Sequence, residues 1–480
     1  MIAPEVARHI PPPAQPDKAD VQSLVVYGYV LNCSRHFVLR VKEPARACDF
    51  IDGLVKAGYV TYASLGKKAV DRLKDEGRCP VNIGFTYRGL ERLGLPKPYL
   101  YVFREKARAF AEGAFLRAAR RLADTGPSAA QWWERRFNQD LAHVLVTLHA
   151  DEIDDLKKMT GDLRRIPGAD GLKGWNLPLD AKHLDTNRDW RTAHFRVRDG
   201  IANPRIRGFH EPANYAPGEF LLGYPNDNSF NPWLLVNPWP LPSPWLLPGA
   251  RIDPRFFQNG SFAALRKMEQ DEKKFRAFVA TWAATLNVSE EYVRAKLAGR
   301  WDNGSVVRPG ETETRPVPKK DTDLNEFDFS KDVDGEGCPF GAHIRRMNPR
   351  ADPVVPFRRR PLLRRGMPYG PAYADGETPG IKRGLLGLFF CASLEDQFEH
   401  LLAECGNANP MGPRNRGSAK DPLIGNHENP GAAFDIPMPE EQSRQLNGLT
   451  PFVTTRGALY AFFPGCAALA MIPQLARAKP

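Results

Sequence analysis

No apolar run approaches the roughly 20 residues that a helix needs to cross a bilayer. The longest runs, such as Leu385–Cys391, have the length of a strand. A protein with membrane-spanning helices is thereby excluded. Cysteine is sparse: 7 residues (Cys33, Cys48, Cys79, Cys338, Cys391, Cys405, Cys466) lie scattered without a CxxC pair. An odd, dispersed set excludes a fully paired disulfide framework and points to a reducing compartment. Residues 1–22 are rich in proline and charge, with neither an apolar core nor a twin-arginine pair, so a flexible tail over residues 1–20 and a cytoplasmic location are expected. Acidic residues are also in deficit, 56 against 67 Lys and Arg, for a net charge of +11. Such a balance invites an anionic partner. The basic residues are nevertheless dispersed, and the densest run, Arg358–Arg360 with Arg364 and Arg365, carries no interleaved aromatics, so no nucleic acid is expected.

A chain of 480 residues, 42% hydrophobic, can bury one large core or two ordinary ones. A strand-like run leading into an amphipathic helix occurs four times. The strands are expected at 36–42, 143–149, 261–266 and 387–391, and the helices at 44–56, from Asp151 and Glu152 onward, at 271–284 and at 394–405. Two units in each half, with short strands and long connections, predict an α+β fold of two subdomains, each an antiparallel sheet with helices against it. The boundary falls near Gly208–Pro217, giving halves of 21–212 and 213–475. Two long irregular stretches, Pro225–Phe256 with Trp233, Trp239 and Trp245, and Val306–Asp334, read as functional covers or tails.

The segment Gly337-Cys-Pro-Phe-Gly-Ala-His343-Ile-Arg-Arg-Met-Asn-Pro-Arg350 sets one histidine between small residues and arginines. Haem iron needs a neutral imidazole as axial ligand, room for the macrocycle and cations for its propionates. His343, its small neighbours, and Arg345 and Arg346 offer these. The ordinary alternative is a structural histidine near a turn.

The same segment resembles the "PFGAHIRR-NPR" signature of the dye-decolourising (DyP-type) haem peroxidases. Further stretches resemble that family in order along the chain: 80–95, Gly218–Tyr224, Asn259–Phe262, Arg364–Gly370, and Gly384–Phe390 with Gln397–Glu399. The resemblance implies two ferredoxin-like halves with peripheral helices and haem b (iron protoporphyrin IX) in the C-terminal one, with His343 as the iron ligand. It implies an enzyme that reduces hydrogen peroxide through a ferryl haem and oxidises organic donors such as dyes and phenols, in a family whose members often self-associate. The family's Gly-x-x-Asp-Gly motif corresponds to Arg196-Val-Arg-Asp199-Gly200, with arginine in place of the first glycine. Arginine tolerates a positive φ poorly, which leaves the local backbone path open.

By that resemblance Asp199 shuttles the peroxide proton and Arg364, rather than Arg365, meets the developing negative charge. Leu386, Leu388 and Phe390 alternate along a strand and are expected as an apolar wall of the haem site, with core packing an equal reading. Glu395 and Asp396 are candidate acceptors for the second ring nitrogen of His343, or else belong to a helix N-terminus. A haem carrier without turnover is the second reading; it needs His343 but neither Asp199 nor Arg364. If the haem is enclosed, bulky donors require an oxidisable side chain. All nine tryptophans lie at or before Trp301, which leaves Tyr369, Tyr373 and Tyr460 beyond it, the first two preferred for their proximity to Arg364.

Overall fold

A computed structural model describes residues 15–478 apart from 67–72, 186–190, 234–251, 315–323, 326, 353–358, 413–414, 416–419, 429–431 and 438–443. Trp239, Trp245, Arg358 and the middle of the 306–334 stretch therefore lie outside the described residues.

All four strand-to-helix units are present. The first is β1 (Cys33–Val41) with the helix Pro44–Lys56, whose proline at the first turn sacrifices no hydrogen bond. After β2 (Val81–Phe85), β3 (Val144–Ala150) precedes the helix Ile153–Arg165, which carries Asp154 and Asp155 in its first turn and Arg164 and Arg165 in its last, in accord with the helix dipole. Two short strands, β4 (Leu172–Lys173) and β5 (Leu179–Lys182), close the first half. In the second half β6 (Ser261–Gln270) is capped by Asp271, whose Oδ1 accepts from Lys274 N at 3.0 Å at the start of the helix Glu272–Leu286. The strands β7 (Leu363–Arg364), β8 (Met367–Tyr369) and β9 (Gly384–Cys391) follow. The helix after β9 departs from the expected geometry: it is π-helical over Leu394–Glu399 and Leu401–Gly406. Wider turns of this kind re-aim side chains and are found at functional sites.

Every ladder of the main sheet is antiparallel, in the order β4-β1-β3-β2-β12 (Val453–Phe463)-β6-β9-β7, with β5 also on β1 and β8 also on β9. A separate hairpin pairs β10 (Ala433–Ile436) with β11 (Arg444–Asn447). The strands of the two halves form one continuous sheet rather than two, because β12 lies between β6 and β2, touching β2 at Phe462 opposite Phe85. The fold is α+β, as expected. Packed rings of Phe103, Phe110, Phe262 and Phe462 sit under that join.

Part of the segment expected as a flexible tail, residues 1–20, is held in place. Residues 1–14 lie outside the described residues, but Asp20 is anchored: its carboxylate accepts from Ala467 N at 2.7 Å, in the first turn of the helix Cys466–Arg477, and from Asn259 Nδ2 at 2.8 Å.

Candidate active site

A cavity of about 700 Å³, within the roughly 300–1,000 Å³ of cofactor and ligand sites, is lined by segments that run from Leu122 to Thr455. His343, Asp199 and Arg364 all line it.

His343 begins the short helix His343–Met347, and its Nδ1 lies 2.8 Å from Oδ2 of Asp421. A carboxylate only accepts, so Nδ1 carries the hydrogen and Nε2 is left as the ring nitrogen for a ligand. Asp421 is fully buried; its Oδ1 accepts from Leu423 N at 2.9 Å and Ile424 N at 3.0 Å. Burial works to raise its pKa, but the His343 ring, Arg346 and the backbone N–H groups outweigh it and hold the carboxyl below its usual range. Asp421 is thus the acceptor that sequence reasoning missed. Glu395 is engaged elsewhere, by Ala109 N, and Asp396 Oδ2 accepts from Ser393 Oγ at 3.2 Å at the helix start, so neither serves His343. Asp421→Asn is expected to weaken haem binding by about 10–100-fold, the usual cost of losing such a partner. It should also raise the Fe(III)/Fe(II) potential, read by titration of apoprotein and by spectroelectrochemistry.

Arg345 and Arg346 do not reach the cavity, which corrects the expectation that they meet propionates. Arg345 is fully buried: Nε donates to Asp352 at 2.6 Å, Nη1 to Asp332 at 3.1 Å, and its guanidinium lies 4.3 Å from the Phe340 ring centroid and 4.6 Å from that of Phe329. Asp332 also accepts from Gly337 N at 3.0 Å and Cys338 N at 2.8 Å, so this pair pins the loop that delivers His343. Arg346 donates to the carbonyls of Cys405, at 2.7 Å, and Ala408. The small residues before His343 serve this packing too: a Cβ on Gly337 would meet Arg308 backbone at 2.7 Å, and one on Gly341 the Phe434 ring at 2.9 Å. Arg345→Met leaves two buried carboxylates short of a cation, at a cost of about 3–5 kcal/mol. Its denaturation midpoint should fall equally with and without haem, whereas a propionate ligand would show its effect mainly in the holoprotein.

Cations do line the cavity. Arg300 is buried with its Nη1 donating to the carbonyls of Gly304 and Leu324 at 2.7 and 2.8 Å, and burial together with the charges of Arg350, Arg364 and Arg198 pushes its pKa down to about 9. Burial likewise lowers Arg350 to about 10. Such a cluster is relieved by an anion. Arg364 Nε is buried without a hydrogen-bond partner. The imidazole, the arginines and the volume fit a haem with its two carboxylates.

Arg364 sits on β7, its N–H donating to Asn203 Oδ1 at 3.0 Å, and its Nη2 lies 3.9 Å from Oδ1 of Asp199. Arg365 turns away, with Nε donating to Leu24 O at 2.9 Å. Asp199 Oδ1 also accepts from Gly200 N at 2.7 Å. Upstream, Phe195 and Arg196 both take the left-handed conformation, φ 66° and 59°. The backbone therefore keeps a path suited to glycine with arginine on it, at a strain of about 1–2 kcal/mol. Neighbouring contacts hold it: Glu272 Oε2 accepts from Phe195 N at 2.7 Å, and Phe195 and Phe275 rings lie 4.2 Å apart.

The apolar wall comes from the other face of β9. Leu386, Leu388 and Phe390 point into the main core, whereas Leu385, Gly387 and Phe389 line the cavity with Phe398, Leu401 and Leu402 from the π-helical segment. The alternation is as expected, offset by one residue.

No family model matches this chain. Among curated proteins it is 28% identical to the dye-decolorizing peroxidase msp1 of Mycetinis scorodonius, over 81% of this chain and 75% of that protein. It is 26% identical to the multifunctional dye peroxidase DyP2 of an Amycolatopsis species, over 94% of each. The same fold is found in a fungal DyP-type peroxidase from Auricularia auricula-judae, with a TM-score of 0.77 at 21% identity over 96% of this chain and 100% of that one. A dye-decolorizing peroxidase in complex with 2,6-dimethoxyphenol matches at a TM-score of 0.74 and 22% identity, over 95% and 99% of the two chains. Relatives of this kind, along nearly the whole chain, define a peroxidase, an oxidoreductase that uses haem. Along most of its length the chain is similar to the dye-decolourising peroxidases.

Proposed function

We propose that this enzyme binds haem b on His343, uses Asp199 and Arg364 to cleave hydrogen peroxide, and oxidises phenols and dyes. The observation that carries the reading is the convergence on one cavity of a carboxylate-anchored histidine and, 3.9 Å apart, a carboxylate and a guanidinium. When bound, haem supplies the redox-active iron that peroxide oxidises. Asp421 holds the His343 ring in one tautomer and keeps it electron-rich. Arg300 and Arg350, which line the cavity, are candidates for the propionates. Asp199 takes a proton from the inner peroxide oxygen and returns it to the outer one, so that water leaves rather than hydroxide. The Arg364 guanidinium meets the developing negative charge.

Residues 213–475 constitute the haem-binding half on this reading, since His343, Arg364 and Asp421 lie there, with Asp199 reaching in from residues 21–212. A haem carrier would need the His343–Asp421 pair but not Asp199 and Arg364 together. The described residues contain no helix long and apolar enough to cross a membrane. All seven cysteines are free, which favours the cytoplasm. The test is an absorption spectrum of the purified protein: a Soret band that shifts on adding peroxide and returns on adding 2,6-dimethoxyphenol supports the proposal. A band that peroxide leaves unmoved would return the carrier reading to first place.

A further inference from the structure

We propose that Tyr460, with Glu399 as its proton acceptor, is the side chain that surrenders an electron to the peroxide-oxidised haem and so carries an oxidising equivalent into the protein; this rests on the peroxidase reading above. A phenol gives up an electron readily only if its proton leaves as well, because a buried radical cation would be an unpaired charge in a poor solvent. The three tyrosines after Trp301 differ sharply in this respect. Tyr373 lies beside two guanidinium groups, Arg276 at 4.8 Å and Arg383 at 5.2 Å from its ring centroid. Both charges oppose removal of an electron. Tyr369 has a buried hydroxyl with no hydrogen-bond partner, and Lys267 Nζ stands 5.0 Å from its ring centroid. Its proton has no base to go to. Tyr460 alone of the three donates its hydroxyl to a carboxylate, Glu399 Oε1, at 2.9 Å.

That carboxylate is itself paired with a buried guanidinium. Arg117 donates to both of its oxygens, Nε and Nη2 each at 2.6 Å, and also pairs with Glu112 at 2.6 Å, which is bonded in turn to the exposed Arg108. Tyr460, Glu399 and Arg117 are all buried. The tyrosine also stands close behind the haem cavity. Its ring centroid is 6.0 Å from that of Phe398, which is 5.4 Å from that of Phe389, and both phenylalanines line the cavity. Tyr460 loses one electron, which reduces the oxidised haem by one equivalent. Its O–H bond breaks as the proton passes to Glu399, which becomes a neutral acid. An electron from the donor and the same proton restore the phenol, so peroxide and donor are the only co-reactants. An equivalent held there is screened from solvent until a donor arrives.

The experiment is freeze-quench electron paramagnetic resonance on haem-loaded protein given one equivalent of peroxide and no donor, with the Soret band followed in parallel. Wild type should give a radical whose hyperfine structure collapses when the protein carries ring-deuterated tyrosine. That signal should be lost in Tyr460→Phe, retained in Tyr369→Phe and Tyr373→Phe, and lost in Glu399→Gln, where the phenol remains but its base is gone. A normal Soret response with no tyrosyl signal, with a tryptophan radical instead, or with a tyrosyl signal that survives Tyr460→Phe overturns the inference and leaves the peroxidase reading standing. If Glu399→Gln fails to fold, Tyr460→Phe decides, since it leaves the Arg117–Glu399 pair intact. A Soret band that peroxide does not move overturns both.

Discussion

His343→Ala is expected to give a folded protein that purifies without haem. Among the described residues on the cavity, the His343 imidazole has its second nitrogen fixed by a carboxylate, Asp421 at 2.8 Å. His194 also lines the cavity, but its Nε2 donates to the Tyr369 carbonyl at 3.0 Å and burial keeps its pKa below the usual value. Folding should survive because the loop before His343 is held by Arg345, Asp332 and Asp352, none of which the substitution touches. The measurements are the ratio of Soret to protein absorbance after reconstitution, and the far-ultraviolet circular dichroism. A full haem complement with an unchanged axial-ligand spectrum would show the assignment to be wrong.

Arg364→Leu and Asp199→Asn should have the opposite signature, with haem retained and the reaction with peroxide slowed. Losing one preorganised charge typically costs about 10²–10³ in rate. Losing a positioned acid–base group costs about 10²–10⁴. Each group is half-exposed on the cavity rather than sealed in the core, so removing it leaves no buried partner stranded. Stopped-flow absorbance changes on mixing with peroxide report the step directly. Rates like those of wild type in both variants would dispose of the proposed roles. The pair of experiments separates binding from chemistry, since one variant loses the cofactor and the others keep it.

The fold was more legible than the site, for local reasons. Strand-to-helix units leave their mark over 10 or so contiguous residues, as in β6 running into a helix capped by Asp271. The alternation of β9 was equally plain, but alternation defines two faces without saying which looks onto a cavity. The choice between Leu386 and Gly387 rests on neighbours contributed by distant segments. Arg345 and Arg346 misled because arginines beside a candidate haem ligand suit an anionic cofactor. What claims them instead is a pair of aspartates and two carbonyls brought in by tertiary contact. Asp421 was hidden for the same reason: it meets His343 across a separation of 78 residues, and only its position as an acid before a proline and an apolar pair set it apart. Arg196 stands where the family motif has glycine, and the backbone at that point keeps the glycine-like path.

The position of β12 bears on how the chain is made. As synthesis proceeds from the N-terminus, β2 and β6 emerge long before the strand that lies between them, residues 453–463. Until that segment leaves the ribosome, each presents an unpaired edge of the kind that recruits other chains. The nascent protein is therefore most prone to aggregate in the interval between translation of its sixth strand and its last. Only a truncation that reaches into residues 453–463, beyond the helix Cys466–Arg477 that follows them, would leave both edges open permanently.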